Sequence, residues 1–273
     1  KMGDKAATTE VINKLANALT DKECMVKERA CEALGKIGKK AATNEVIQKL
    51  VNALTDEEYW VRESARVALS KISEKERVAT NEVIIQINNA LTDQDNRVRE
   101  CACEALDKMG EKAATYEVFT KLVNALGDQD YRVRRSSCVA LGKMSEKATT
   151  TEVINRLVSV LGDQNECVRQ SACVALGAMG EKVAINEVII KLISTLEDDK
   201  YIVRWAACEA LGKMGEKAVT NDVISMVLRM MKSRNVLDAD MVQYIIRSLL
   251  KETSVLKRLD SRLIIDCHEL MTN

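Results

Sequence analysis

The chain of 273 residues contains no proline, and its only phenylalanine is Phe119. All-β proteins depend on Pro/Gly turns and on aromatic and β-branched strands. The chain is instead rich in Ala, Leu, Glu, Lys and Met, which favour helix. Apolar residues make up 47% and charged residues 30% of the chain, so it can bury a core and is not disordered. The composition therefore predicts an all-α fold.

A net charge is also lacking: 41 basic residues balance 41 acidic ones, so no global field recruits nucleic acid or an anionic membrane. No apolar run approaches the roughly 20 residues that a membrane span needs, and no secretory signal is visible. The opening KMGDKA resembles GKMGEKA inside the chain. We therefore expect this sequence to be a piece of a longer protein.

Catalytic motifs are equally scarce. The single histidine, His268, stands beside Glu269, and one His-Glu pair cannot coordinate a di-iron centre. No Walker loop, G-x-G-x-x-G or G-x-S-x-G occurs. We predict no enzyme activity, no metal and no cofactor.

A tandem repeat organises the chain. The tag T-x-E-V-I, or a close variant, recurs every 35 residues, except for one step of 37, with its acid at Glu10, Glu45, Glu82, Glu117, Glu152, Glu187 and Asp222. Two extra residues near Glu76 and Arg77 lengthen the second step, in the loop before the third tag, and we expect them to bulge outward while stacking continues. A period this regular indicates a solenoid of stacked units.

Each unit has two apolar stripes at helical spacing. The first helix is predicted over Asn44 to Leu54, with Thr43 as its N-cap, and the second over Val26 to Ile37, ended by Gly38. Neither helix is long enough to be stable alone, so neighbouring units must bury each other. We predict six helix pairs over residues 1–220, and a diverged last repeat with a helical C-terminal cap over 221–273.

A second motif places an Asp six residues before the Arg of a Val-Arg pair. The copies are Asp56/Arg62, Asp93/Arg99, Asp128/Arg134, Asp163/Arg169 and Asp198/Arg204, with Asp21/Lys27 as a conservative first one. With the A-x-x-A-L-G-x-M-G that follows, about residues 1–224 resemble HEAT repeats, especially the short HEAT-like subclass first noted in bilin lyases. The resemblance implies a right-handed α-α superhelix whose second helices line the concave side, with an Asp–Arg ladder along the turns.

The ladder has a structural interpretation and a functional one. An Asp at a helix start can cap unpaired backbone N–H groups, and a carboxylate between arginines of successive units can bind both. Alternatively, the row of arginines could bind an anion.

The nine cysteines do not suggest a metal site. Five of them share one repeat position, and none forms a C-x-x-C, so we interpret them as small apolar filler: Cys31, Cys103, Cys138, Cys173 and Cys208. Many unpaired thiols favour a reducing, cytoplasmic compartment.

A partner would bind where the repeats differ. On the second helix, the positions opposite the buried Val predict a groove lined by Glu28, Glu63, Glu100, Glu104, Tyr59, Tyr131, Arg135, Tyr201 and Trp205. The first half of this groove is acidic, and the second carries the aromatic pair Tyr201/Trp205, a usual kind of interface anchor. Trp60 falls in another column and is assigned to packing.

These features predict a non-catalytic scaffold that binds a protein or peptide, possibly through a basic stretch of that partner. One alternative is a DNA-binding or base-excising enzyme resembling HEAT-like alkylpurine glycosylases. Two tryptophans and the arginine row favour it, but a Glu-rich groove would repel phosphate, so nucleic acid is not the expected partner. Another is a bilin lyase-like protein, which rests on repeat similarity alone. No membrane partner is expected.

Overall fold

The computed structural model describes residues 8–74, 77–145, 147–218 and 220–232. Helices run in sequence as α1 (Thr9–Ala18), α2 (Cys24–Ile37), α3 (Asn44–Ala53), α4 (Tyr59–Glu74), α5 (Arg77–Ala90), α6 (Asn96–Met109), α7 (Tyr116–Ala125), α8 (Tyr131–Lys143), α9 (Thr151–Val160), α10 (Glu166–Met179), α11 (Asn186–Thr195), α12 (Tyr201–Lys213) and α13 (Asn221–Lys232). Within these ranges there is no β-strand. The predicted all-α solenoid is confirmed.

The first helix of a pair begins where the threonine of the repeat tag caps it. The Thr43 hydroxyl accepts a hydrogen bond from the Val46 amide at 3.3 Å, and Thr8, Thr115 and Thr150 cap their helices in the same way. The acid of the tag lies in the first turn, where it interacts favourably with the helix dipole. The cap role predicted for Thr43 is therefore confirmed.

The second helices α2, α6 and α10 each end at a glycine in a left-handed conformation. Gly38, Gly110 and Gly180 have φ values of 64°, 53° and 60°, and each begins a short 3₁₀ turn that leads to the next pair. Side chains with a Cβ rarely adopt this φ, so the glycine fixes the helix end.

Residues 1–144 and 145–273 form two compact units. In the first unit the second helices pack in order, α2 against α4, α4 against α6 and α6 against α8, while α1, α3, α5 and α7 stack beside them. In the second unit α10 packs against α12 and α11 against α13. The predicted cap beyond Lys232 lies outside the described residues.

The core comes from the two apolar stripes and the shared cysteine position. Ile47, Leu50, Leu34 and Leu69 are completely buried, as are the cysteines at that position: Cys31, Cys103, Cys138, Cys173 and Cys208. Burial raises the pKa of the Cys31 and Cys173 thiols to about 12, so they stay protonated. These thiols thus act as small apolar side chains.

The bulge predicted for the two-residue insertion falls on residues 75 and 76, which lie outside the described residues, but the helices on either side are longer than their equivalents. Helix α4 has 16 residues and continues to Glu74, and α5 has 14 residues and already begins at Arg77, whereas α3 and α7 have 10 each. The position that holds Gly38 in the first repeat is Ser73 here, followed by the helix-favouring Glu-Lys-Glu-Arg. Without the glycine that ends the helix, α4 continues to Glu74.

Candidate partner-binding site

The Asp–Arg motif forms ion pairs between neighbouring repeats. Within the first unit, the guanidinium of Arg99 donates through Nε and Nη2 to the two carboxylate oxygens of Asp128, at 2.6 and 2.9 Å. In the second unit, Arg169 binds Asp198 in the same fork, at 2.7 and 2.8 Å. Lys27 pairs with Asp56 at the conservative first copy.

The remaining donor of each arginine is used within its own repeat. Nη1 of Arg99 donates to the carbonyl oxygens of Asp93 and Gln94 at 2.8 and 3.0 Å, and the same pattern occurs at Arg62, Arg134, Arg169 and Arg204. Each arginine therefore ties down its own interhelical turn. Arg99 and Arg169, which also form an ion pair with the next repeat, have their Nε and Nη2 donors occupied as well. This disfavours the use of the arginine row as an anion site.

The aspartates close a turn instead of capping a helix, so the cap role that we predicted for them is wrong. Asp128 accepts the backbone N–H of Asp130 at 2.9 Å, and it is Asp130 that caps α8 by accepting the Arg132 amide at 2.8 Å. Burial acts to raise the pKa of Asp128, but the hydrogen bond from Arg99 and the Asp130 amide outweigh it and hold that pKa below its usual range.

One rung of the ladder is missing at the lengthened step. Among the ion pairs of the described residues, none joins Arg62 to Asp93, although Arg62 keeps its bonds to the carbonyls of Asp56 and Glu57, at 2.7 and 2.8 Å. Asp93 still closes its own turn by accepting the Asp95 amide at 2.9 Å. The broken rung coincides with the insertion between α4 and α5.

The first unit presents a set of partly buried carboxylates on α2, α4 and α6. We use the term second-helix surface for the solvent-facing side chains of α2, α4, α6 and α8. Every predicted acidic residue of the groove lies on it, each partly exposed: Glu28, Glu63, Glu100 and Glu104.

A buried arginine, Arg66, lies between Glu63 and Glu104, and the sequence analysis did not identify it. Arg66 is only 9% exposed, and its Nε lies 2.9 Å from Glu63 Oε2 and 3.3 Å from Glu104 Oε2. It occupies the repeat position at which Cys31 and Cys103 are buried. That departure from the cysteine column was the signal that could have revealed it.

Two carboxylates of this surface have raised pKa values, with burial as the largest cause. The pKa of Glu100 is raised mainly by burial and secondarily by repulsion from Glu104. The pKa of Glu104 is also raised, mainly by burial. The charges of Glu63 and Asp107 raise it further, whereas the charge of Arg66 lowers it. Carboxylates that repel each other in this way favour the approach of a cation.

Aromatic side chains border the carboxylates at the start of α4. Tyr59 is 57% exposed and Trp60 is 65% exposed, and their rings meet edge to face with centroids 5.1 Å apart. Met25, at the equivalent position on α2, is also 65% exposed. The assignment of Trp60 to packing is wrong, because no neighbouring helix covers this first turn. The shared column Met25, Trp60, Arg97 and Arg132 contained that signal.

The remaining groove residues differ in accessibility. In the first unit, Tyr131 is 40% exposed, with the Arg132 guanidinium 5.8 Å from its ring centroid, and Arg135 is exposed. In the second unit, Tyr201 and Trp205 are half-buried, and their rings lie 6.2 Å apart with a tilt of 35°. The pair predicted as the main anchor is thus less accessible than Tyr59 and Trp60.

Within the described part of the chain, no group of His, Cys, Asp and Glu could hold a metal ion, and none of the eight cysteines there forms a disulfide. No helix there combines the length and apolar character needed to cross a membrane. The surface thus offers charges, hydrogen-bonding groups and aromatic rings.

Comparison with known families identifies the repeat. A family described as HEAT repeats matches residues 119–189 and 154–239, and one described as non-SMC mitotic condensation complex subunit 1 matches residues 30–129. The chain belongs to the HEAT-repeat family. No curated protein matches this HEAT-repeat chain.

Solved structures share the fold of this HEAT-repeat chain at low identity. Kap121p bound to Nup53p superposes with a TM-score of 0.72 and 17% identity, over 94% of this chain and 31% of Kap121p. Kap121p bound to Pho4p gives 0.71 and 17% over the same shares. An engineered protein gives 0.52 and 21%, over 75% of this chain and 96% of its own. The HEAT-repeat chain thus spans about a third of Kap121p.

Proposed function

We propose that this HEAT-repeat chain is a non-catalytic scaffold that binds a protein or peptide on the second-helix surface of its first unit. The observation that carries the proposal is the exposed pair Tyr59 and Trp60 beside the row of carboxylates. Exposed aromatic rings gain nothing from the internal core, and Trp and Tyr are the usual anchors of interfaces.

The charges define the partner further. Glu63 lies on α4 with the aromatic pair, and the neighbouring helices α2 and α6 carry the other acidic residues, Glu28, Glu100 and Glu104. A partner with an apolar anchor next to a basic stretch therefore complements the surface. Carboxylates would repel a nucleic acid backbone, which disfavours the DNA-binding alternative. Solved Kap121p structures with bound Nup53p and Pho4p support peptide binding as a use of this fold.

The proposal has three further parts, which concern a second contact, the whole protein and its compartment. Tyr201 and Trp205 provide a second, smaller contact in the unit of residues 145–273. The chain acts as a segment of a larger protein. That protein works in a reducing intracellular compartment, which is supported by the eight cysteines of the described residues, none of which forms a disulfide.

A binding experiment tests the main proposal. The probe is a short fluorescent peptide with one phenylalanine followed by arginines, titrated with the chain at low and high salt. We expect saturable binding that weakens with salt, and Trp60→Ala should reduce affinity about thirtyfold, which corresponds to about 2 kcal/mol.

Tyr116 provides the matched control for Tyr59. It is 79% exposed but begins α7, a first helix. Tyr59→Ala should weaken binding while Tyr116→Ala should not. Equal affinity of all variants, or no binding by the unmodified chain, would contradict the proposed function.

A further inference from the structure

The starting observation is an arginine of the ladder that leaves two of its donors unused. Arg62 donates through Nη1 to the carbonyl oxygens of Asp56 and Glu57 at 2.7 and 2.8 Å, as Arg99 does in its own turn. In the described part of the chain, Nε and Nη2 of Arg62 form no hydrogen bond or ion pair, and neither atom is buried. Two neighbouring N–H donors of a charged group therefore reach solvent.

The same two donors bind a carboxylate in other repeats. Nε and Nη2 of Arg99 hold both oxygens of Asp128 at 2.6 and 2.9 Å. Those of Arg169 hold Asp198 at 2.7 and 2.8 Å. The fold itself thus shows which ligand this arrangement takes: a carboxylate bound through two parallel hydrogen bonds.

Asp93 stands in the corresponding place for Arg62 but does not fill it. It accepts the Asp95 amide at 2.9 Å, is exposed, and forms no ion pair within the described ranges. We use the term open fork for Nε and Nη2 of Arg62. The open fork is built as in the other repeats, but the neighbouring repeat does not supply its carboxylate.

Two contacts hold the open fork in place. The carbonyl oxygens of Asp56 and Glu57 fix Nη1, and the Arg62 guanidinium lies 5.9 Å from the centre of the Tyr59 ring. A planar guanidinium that is already held loses little freedom when it binds a carboxylate. Because Tyr59 and Trp60 are exposed, the open fork borders the proposed aromatic anchor site.

Acidic neighbours do not exclude a carboxylate from such a fork. The turn before Arg62 has acidic residues at 56–58. Arg99 has a comparable setting, with Asp130 within range of its charge, yet it binds the carboxylate of Asp128. Two short charge-assisted hydrogen bonds therefore outweigh the repulsion from more distant carboxylates.

We propose that the open fork of Arg62 is a subsite for a carboxylate of the bound protein or peptide, which takes the place that Asp128 holds at Arg99. The subsite rests on the proposed function and adds an acidic group beside the apolar anchor of the partner. Arg62 reaches back to its own turn, whereas Glu63 and Glu104 lie farther along α4 and α6. The carboxylate of the partner thus binds on the turn side of the anchor and its basic stretch on the helix side.

Two pairs of fluorescent peptides test for the carboxylate and identify its source. In the first pair, glutamate or glutamine precedes the phenylalanine of the arginine peptide described above, and the C-terminus is amidated. In the second pair, phenylalanine follows the arginines and ends the peptide, as a free acid or as an amide. We expect the unmodified chain to prefer the carboxylate in one pair by about tenfold, because both hydrogen bonds to the open fork are charge-assisted.

Arg62→Lys separates the fork from its charge. Lysine keeps the positive charge but cannot form two parallel bonds, and Lys27 occupies this position in the first repeat, so the fold accepts it. We expect Arg62→Lys to lose most of the carboxylate preference. Arg99→Lys is the matched control: it should lower the melting temperature, because the fork to Asp128 is lost, and leave the preference unchanged.

The outcomes separate the subsite from the broader proposal. No preference in either pair, or a preference that Arg62→Lys leaves intact, would overturn the subsite, while the scaffold function stands if Trp60→Ala still weakens binding. Loss of the preference in Arg99→Lys as well would indicate an effect on the fold and would also overturn the subsite. If the unmodified chain binds none of the four peptides, the proposed function and the subsite both fail. The comparison of peptides on the unmodified chain decides even if a variant does not fold.

Discussion

Replacing Asp128, which forms an ion pair with the neighbouring repeat, should destabilise the fold more than replacing Asp93, which does not form one in the described residues. Asp128→Ala deletes both oxygens of the fork with Arg99 and the acceptor that closes the turn at Asp130. Asp93→Ala deletes only the bond to the Asp95 amide, because no ion pair joins Arg62 to Asp93. The two aspartates occupy the same repeat position, so the pair of variants isolates the rung.

The expected loss in the free energy of unfolding follows from the burial of the Arg99–Asp128 ion pair. The side chains of Arg99 and Asp128 are 17% and 11% exposed, so their attraction is only partly screened by solvent. A hydrogen bond to a charged group contributes about 1.5–3 kcal/mol, but at the solvent-exposed Asp93 screening reduces this to about 1 kcal/mol. We expect Asp128→Ala to lower the free energy of unfolding by about 3–4 kcal/mol and Asp93→Ala by about 1 kcal/mol.

Urea denaturation at several pH values measures both costs. The pKa of folded Asp128 lies below its usual range, so its contribution is present above the unfolded carboxyl value of about 3.9 and disappears as pH falls through the folded pKa. The gap between Asp128→Ala and the unmodified chain should be constant from about pH 7 to 5 and should close in stronger acid. Equal destabilisation by the two variants at neutral pH would refute the ladder argument.

Three further substitutions or reactions test other parts of the structure. Gly177→Ala should destabilise by about 1–3 kcal/mol, because its Cβ would meet the Ala210 backbone at 2.9 Å; Gly162→Ala, whose nearest neighbour is 3.7 Å away, should be nearly neutral, and equal denaturation midpoints would contradict this. A thiol reagent should modify exposed Cys24 before the fully buried cysteines, which mass mapping of early adducts can check. Trp205→Ala should weaken partner binding with little change in melting temperature; unfolding with unchanged affinity per folded molecule would mark Trp205 as packing.

The repeat and its helix pairs could be predicted from the sequence because packing alone dictates them. The apolar spacing predicted a helix over Asn44 to Leu54, and α3 runs over Asn44–Ala53. The second helix, predicted from Val26 to Ile37, begins two residues earlier at Cys24 and ends at Ile37. A stripe that must be buried by its neighbours leaves little freedom in type or extent.

The consequences of the insertion could not be predicted from its length. Two extra residues fit a bulging loop as well as longer helices, and the choice depends on whether a glycine ends the preceding helix. Ser73 stands where Gly38 and Gly110 stop their helices, so α4 continues past this position to Glu74. Whether Arg62 and Asp93 form an ion pair depends on the relative position of their two turns, which the sequence does not give.

Accessibility on the second-helix surface was the least predictable property. A helical wheel treats each helix as an isolated cylinder, whereas exposure depends on which neighbour covers each turn. Trp60 is only one residue from the buried Val61, yet it is 65% exposed because it lies in the first turn. Arg66 is charged, yet its long side chain folds against Glu63 and Glu104 and becomes buried.

Three polar residues in the second and third repeats replace residues that the other repeats keep small or apolar. Arg66 replaces a cysteine and Asp107 a glycine, while Asn88 stands where Val51 and its equivalents are apolar. Each buries a polar group, and only Arg66 is fully partnered, because Oδ1 of both Asn88 and Asp107 lacks a donor within the described ranges. Since consensus residues would avoid these costs, packing cannot be the reason for the substitutions. Arg66 lies on α4, Asn88 on α5 and Asp107 on α6, so these departures from the repeat pattern fall on three successive helices. Because each buries a polar group that the consensus residue would not, reversion to the consensus should raise the melting temperature.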